Sequence, residues 1–248
     1  MSALRTERDG PLYRVVLARP ERRNAFDAVL IADLTAAFAE VGEARVVLLS
    51  GEGRAFCAGA DVEWQRASID LSYDENVADA MRLYTMLEAI DGCPVPVVAQ
   101  VHGHALGGGS GLVACADIAV AAPDAVFGFP EVRLGIVPAV ITPFVLARIG
   151  PGAARRYFLT GERFDAAAAL RIGLVHHVAE RPEIAVDAVI AAILESGPEA
   201  VRVAKRLVHE RPVGEETARI AAARRASDEG QEGLRAFLER RDPSWRAR

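Results

Sequence analysis

The sequence predicts a mixed α/β domain that ends in an all-helical tail, and three observations carry that prediction. Between residues 12 and 121, apolar runs of strand length alternate with stretches of helical period, the pattern of a sheet covered by helices. The run Val46-Val47-Leu48-Leu49 is apolar on both faces, as a strand covered on both sides requires. From Pro182 onward nearly everything reads as helix, in segments 182–195, 198–210, 214–226 and 228–240 parted by Gly197-Pro198, residues 212–214 and Ser227.

The elements follow in order. Residues 4–6 and 12–18 bracket Asp9-Gly10, a hairpin signal, and Arg19-Pro20 ends the second strand. Phe26, Leu30, Leu34, Phe38 and Val41 recur at helical spacing after Asp27, which predicts an amphipathic helix. A strand over 45–50 follows, then a glycine-bearing loop closed by Asp61, placed to cap a short helix through Trp64. Residues 63–75 show no clear period and are expected to be mobile. A helix carrying Val77, Met81, Tyr84 and Leu87 ends at Gly92, and 95–101 is the next strand. Beyond residue 131 the chain turns helical, with 141–149, 153–159 and 166–172 punctuated by Gly150-Pro151, Gly161 and Gly173. A boundary near residue 196 divides a core, 1–195, from a tail, 196–248, that must pack on the core or on another subunit to bury its surface.

Composition excludes several classes. With 248 residues, 51% apolar and 25% charged, the chain has the profile of a globular protein, and a net charge of −5 argues against a nucleic-acid binder. The opening MSALRTERDG has no apolar run, and 136–147 is broken by Pro138 and Pro143, so neither a leader nor a membrane span is expected. Cys57, Cys93 and Cys115 make no CxxC pair, consistent with a reducing cytoplasm.

The chemistry concentrates in residues 101–138. The triple glycine Gly107-Gly108-Gly109 opens a helix, leaving backbone N–H groups uncovered at the positive end of the helix dipole. Pro130 suits the first position of another short helix and puts Glu131 in its first turn. A P-loop is excluded because no lysine follows the glycines. A nucleophile elbow is excluded because Leu112, not glycine, stands two residues after Ser110. A second loop, 51–61, also presents small residues at a strand end, and two such loops can converge on one oxygen as an oxyanion hole requires.

These blocks, RPERRNAFD (19–27), GRAFCAGAD (53–61), HGHALGGG (102–109), FPEVRLGIVP (129–138), FDAAAALRIGLVHHV (164–178) and FLERRDPSW (237–245), cover nearly the whole chain in order. In them the sequence resembles the enoyl-CoA hydratase/isomerase, or crotonase, superfamily. The resemblance implies a spiral of ββα units with a C-terminal helical region that forms trimers, often paired into hexamers. It implies a thioester substrate on coenzyme A, with no separate cofactor. The enolate oxygen would be held by the Ala60 and Gly108 amides, and Glu131 would move the proton. Arg22 and Ala25 match the nucleotide-contacting segment, Ala58, Asp61 and Val62 the pantetheine flank, and Phe237 and Arg240 a part that closes over the nucleotide from a neighbouring subunit.

The sequence departs from the family pattern at Gly111, where the usual hydratases carry a first glutamate. A lone glutamate suits double-bond isomerisation and also relatives that hydrate branched glutaconyl-type thioesters, whose segment after the proline is similar to residues 130–139. The longer match favours a hydratase of the methylglutaconyl-CoA kind, with Δ3-Δ2 isomerisation as the alternative and a non-catalytic acyl-CoA-binding scaffold as the reading from another class. The remaining candidates read as structural. His104 either approaches the acyl chain or, as the favoured reading, is a hydrogen-bonded structural histidine, and Cys57 reads as a small buried residue. His176-His177 lack the further ligands of a metal site. Lys205, the only lysine, lies in an arginine-rich helix unsuited to Schiff-base chemistry, and Trp64 is either core or pocket wall.

Overall fold

The computed structural model describes residues 3–246. Strands β1 (Leu4–Asp9) and β2 (Leu12–Leu17) form the expected antiparallel hairpin, with Asp9 opposite Leu12. Helix α1 (Ala28–Ala39) starts where Asp27 accepts the Leu30 N–H at 2.8 Å, and it buries Leu30, Ile31, Leu34 and Phe38. Strand β3 (Val46–Gly51) returns parallel to β2. Helices α2 (Val62–Ala67) and α3 (Tyr73–Asp91) lead to β4 (Val97–Val101), then β5 (His104–Leu106) and α4 (Gly108–Cys115). Strands β6 (Ile118–Ala121) and β7 (Val126–Gly128) follow, and a 3-10 helix spans Pro130–Leu134. Beyond it run α5 (Thr142–Thr160), β8 (Arg163–Asp165), α6 (Ala166–Arg171), β9 (His177–Val178) and α7 (Pro182–Leu194). The tail holds α8 (Pro198–Glu210), α9 (Glu215–Ala226) and α10 (Asp228–Glu239).

Six strands make the main sheet, in the order β1-β2-β3-β4-β6-β9, parallel from β2 onward. One face carries the larger core, in which Leu30, Leu34 and Phe38 of α1, Met86, Leu87 and Ile90 of α3, and Leu112 of α4 pack with alternate strand residues. The other face presents Leu12, Val46, Leu48, Val98 and Val120, covered by Val186 and Ile190 of α7. Burial on both faces explains the continuous apolar run in β3. The second sheet, β5-β7-β8, is small and lies at the end of the parallel strands where the chain leaves β4.

Four readings change. Residues 63–75, which show no clear period in sequence, are mostly helical. Asp61 caps α2 and Ser72 with Glu75 forms a capping box for α3, a signal that is present in the sequence as Ser-x-x-Glu. The segment lacked a period because it has no buried face, and Ile69 and Tyr73 are exposed. The buried side of α3 is Met86, Leu87 and Ile90, while Val77 and Met81 face outward. The short strands β5, β7, β8 and β9 had no sequence signal, since two or three residues hold no alternation to detect. At Gly150 the expected break is a kink inside α5, with φ 69 and ψ 166.

The tail is tied to the core by α8. Lys205 Nζ donates to Asp117 Oδ2 at 2.7 Å and to the Val95 carbonyl at 3.2 Å, and Asp117 also accepts the Val97 N–H at 2.7 Å. The sole lysine is therefore a buried strut, as a structural reading required. No helix among the described residues is long and apolar enough to cross a membrane.

Candidate active site

The two loops singled out by composition lie side by side. Cys57 donates its N–H to the His104 carbonyl at 3.0 Å, and its own carbonyl accepts the Leu106 N–H at 3.1 Å. This parallel bridge aligns the end of the β3 loop with β5. It demands glycine at the start of α4, because a Cβ on Gly109 would sit 2.2 Å from the Cys57 carbonyl oxygen. Asn24 holds the third strand-end segment. Fully buried at φ 56, it accepts the Arg19 N–H at 2.8 Å and donates to the Glu52 and Ala55 carbonyls at 2.9 and 2.8 Å.

The amides around the junction are accounted for in sequence. Phe26 N–H donates to the Gly59 carbonyl at 2.7 Å, Asp61 N–H to the Phe26 carbonyl at 2.7 Å, and Gly107 N–H to the Gly128 carbonyl at 2.9 Å. Between them, the Ala60 and Gly108 amides donate to no acceptor among the described residues. Both residues line one cavity of about 330 Å³, and a Cβ on neighbouring Gly59 would lie 3.9 Å from Gly108 N. The start of α4 also directs the positive end of its dipole there.

Glu131 lines the same cavity from the 3-10 helix, with Pro130 in the first turn as expected. Its Oε1 would lie 3.0 Å from a Cβ on Gly107, a residue that also needs positive φ (53) to open α4. Its Oε2 is buried and makes no hydrogen bond. Burial pushes the Glu131 carboxyl above the usual range, and a backbone hydrogen bond within the residue only partly opposes this. The opposing effects at a helix start, which the sequence leaves unresolved, are thus resolved upward.

The rest of the lining is mostly apolar and includes Phe26, Trp64, Leu83, Leu106, Val140 and Ile141. Trp64 serves both suggested purposes, packing on the main core and walling the cavity. Ala58 also lines it, although its N–H is taken by the Arg23 carbonyl at 3.0 Å. The other expected contacts lie outside the lining. Asp61 is 5% exposed, and its carboxylate accepts the Glu63 N–H at 2.9 Å and faces Arg19 and Arg22 at 3.7 and 3.9 Å. Its side chain is therefore a cap and an ion-pair member, and its N–H and carbonyl are both taken, by Phe26 and Gln65. Ala25 is buried, with its carbonyl accepting from Arg19 at 2.9 Å, while Val62 is exposed. Phe237 and Arg240 are exposed at the end of α10 and do not reach the cavity of their own chain.

Sequence reasoning missed Phe26, Leu83, Leu106 and Ile141 as cavity residues, since each is an ordinary apolar residue until the fold brings it to the site. Cys57 is fully buried and its thiol is pushed up to about 12, which removes it as a nucleophile. His104 lies on β5 and does not line the cavity. His176 accepts the Ala119 N–H at 3.1 Å, and no cluster of three metal-ligating side chains exists among the described residues.

A six-stranded sheet wound with helices, a second, three-stranded sheet and a helical tail define the crotonase fold, and the solved structures agree. An enoyl-CoA hydratase from Shewanella pealeana superposes with a TM-score of 0.93 at 37% identity, covering 98% of this chain and 96% of that one. AtuE from Pseudomonas aeruginosa superposes with a TM-score of 0.95 at 35% identity, covering 99% and 100%. Cyclohexa-1,5-dienecarbonyl-CoA hydratase from Thauera aromatica is 35% identical over 98% of this chain and 95% of its own. The enoyl-CoA hydratase/isomerase family model matches residues 7–248, and the chain belongs to that enzyme family.

An unpartnered buried carboxylate has a consequence for stability. With its folded pKa raised, Glu131 holds more protons folded than unfolded between its ordinary pKa and the raised one, so its contribution to stability falls as pH rises through that window. Glu131→Gln should therefore raise Tm at neutral pH, and the gain should shrink below about pH 4, where both states are protonated. Thermal unfolding across pH measures this, and a variant less stable at neutral pH would contradict the reading.

Proposed function

We propose that this enzyme takes an acyl-CoA thioester and moves a proton at the acyl carbons while the Ala60 and Gly108 amides hold the thioester oxygen. One observation carries the reading: a buried carboxyl with an unpartnered oxygen shares a cavity with two uncommitted amides. Negative charge developing on the oxygen would meet donors that cannot titrate, each worth about 2.7–4 kcal/mol in the transition state. Glu131 would be the only general acid–base. In hydration it would take a proton from water as the oxygen bonds to the β-carbon, and return a proton to the α-carbon as the enolate collapses. The reverse sequence would remove water.

Isomerisation has an observation of its own. Gly111, which stands where the family's first glutamate would be, is buried beneath Ile141 and Leu87, and the lining there is apolar. One carboxylate moving a proton between two carbons needs neither a second acid nor a water site.

The glutaconyl-type acyl group suggested by the sequence has two features, a branch and a second carboxylate. The lining weighs against the carboxylate, because no Arg, Lys or His is among the described lining residues. Arg133, the one cation within 130–139, donates to the Thr160 carbonyl at 3.4 Å and packs against Gly161 instead. An uncharged acyl group is the better fit. The coenzyme A nucleotide would lie outside the cavity, toward Arg22 and Ala25, with the Ala58, Asp61 and Val62 backbone along the pantetheine arm. Residues 196–248 would assemble trimers or hexamers, bringing a neighbour's Phe237 and Arg240 to the nucleotide.

Loss of conjugated enoyl absorbance separates these readings, with a 3-enoyl ester gaining it on isomerisation. Pent-2-enoyl-CoA should be turned over at least about 100-fold more efficiently than glutaconyl-CoA, since a second carboxylate would be buried without a partner. Equal turnover would remove the charge argument. Glu131→Gln should lower kcat by about 10²–10⁴-fold, and near-normal turnover in the folded variant would defeat its role. Sedimentation should give a mass of three or six chains, whereas a monomer would exclude the assembly.

A further inference from the structure

We infer that Ile141 is the residue that sets which β-substituents the acyl cavity admits, an inference that rests on the function proposed above. Ile141 is buried, at 3% exposure, and touches two things at once. It lines the cavity that holds Glu131, Ala60 and Gly108, and it lies on Gly111, one turn of α4 beyond the Gly108 amide. A Cβ on Gly111 would meet Ile141 Cγ2 at 2.7 Å and Ile141 Cβ at 3.3 Å, with Leu87 Cδ2 at 3.7 Å. The missing side chain at position 111 is thus the space that lets Ile141 stand back from the cavity.

The backbone of Ile141 cannot supply the adjustment. It opens α5, its carbonyl accepts the Val145 N–H at 3.0 Å, and Thr142 beside it donates its hydroxyl to the Pro138 carbonyl at 2.7 Å. Its side chain is branched at Cβ and has few low-energy rotamers. Leu87, fully buried, also borders the space at Gly111, and Ile141 itself lines the cavity, so the cavity is the open side available to it. Any group added at Gly111 would drive Ile141 toward the substrate, and any group removed from Ile141 would widen the cavity at the same place. With the Gly108 amide and Ile141 one turn of α4 apart on the same cavity as Glu131, that place lies near the acyl carbons next to the thioester.

The two positions are therefore coupled with opposite sign, and a four-member cycle reads the coupling. Wild type, Gly111→Ala, Ile141→Val and the double variant are assayed with but-2-enoyl-CoA and its 3-methyl homologue, which differ by one methyl on the β-carbon. Gly111→Ala should lower kcat/KM for the branched ester about 10-fold more than for the linear one, the usual scale for one methyl group in an apolar pocket. Ile141→Val should shift the branched-to-linear ratio the other way, and the double variant should bring it back toward wild type. A ratio unchanged in all variants, with both esters falling together, would mean a merely structural contact and overturns the inference. Ile141→Val removes one methyl group from a site that can keep its packing, so it tests the claim even if Gly111→Ala fails to fold. Should wild type turn over neither ester, hydration of these two acyl groups is excluded, and calorimetric binding of butanoyl-CoA and 3-methylbutanoyl-CoA to the same proteins reads the ratio instead. The same shifts there support the role of Ile141, and their absence removes it.

Discussion

The site depends on the parallel bridge between Cys57 and Ala105, which brings two strand-end loops within van der Waals reach of each other. Each loop contributes one of the two uncommitted amides at the cavity, Ala60 from one and Gly108 from the other. The bridge itself takes the Cys57 and Leu106 amides, and beyond it the Asp61 and Gly107 amides go to the Phe26 and Gly128 carbonyls, which leaves those of Ala60 and Gly108 without an acceptor among the described residues. It also dictates composition. Gly109 can carry no Cβ against the Cys57 carbonyl, and a Cβ on Gly108 would strike the Phe26 ring at 2.7 Å. The run of glycines is therefore a packing requirement first, and the exposed amides are its product. The structural and functional readings of that run are the same reading.

Around this junction the chain places one carboxyl where it is poorly solvated. Buried polar atoms are nearly always hydrogen-bonded, and Glu131 Oε2 is one of four exceptions among the described side chains. The other three are guanidinium Nε atoms of Arg45, Arg148 and Arg224, each of which is bonded through at least one other guanidinium nitrogen. An acid left unpaired inside an apolar lining costs stability, and such costs concentrate where a fold keeps a group ready to react. The family relationship gives that general argument its specific chemistry.

Much of the fold was legible because its signals are local. The Asp9-Gly10 turn, the Asp27 and Asp61 caps, the apolar β3 run and the four helical segments from Pro182 onward each declare themselves within a few residues. What stayed hidden depends on contacts far apart in the chain. The strands β5, β7, β8 and β9 are too short for periodicity, and α3 hides its buried face behind exposed Val77 and Met81. At the site, Ala60, Gly108 and Glu131 could be named from motifs, and the structure gathers all three at one cavity. Ile141 could not be named, because its significance is a contact with Gly111 thirty residues earlier. The direction of the Glu131 shift was equally hidden, since it depends on how much water the fold excludes.

The account turns on two amides sharing one thioester oxygen, and the carbonyl stretch of a bound ester reports on that oxygen directly. A non-reacting acyl-CoA with a 13C-labelled thioester carbonyl, examined by isotope-edited infrared difference spectroscopy, should show its stretch lowered on binding, because two donors polarise the bond. The lowering should persist in Glu131→Gln, which leaves both amides in place. A bound ester whose carbonyl frequency matches that in water or higher would contradict the account.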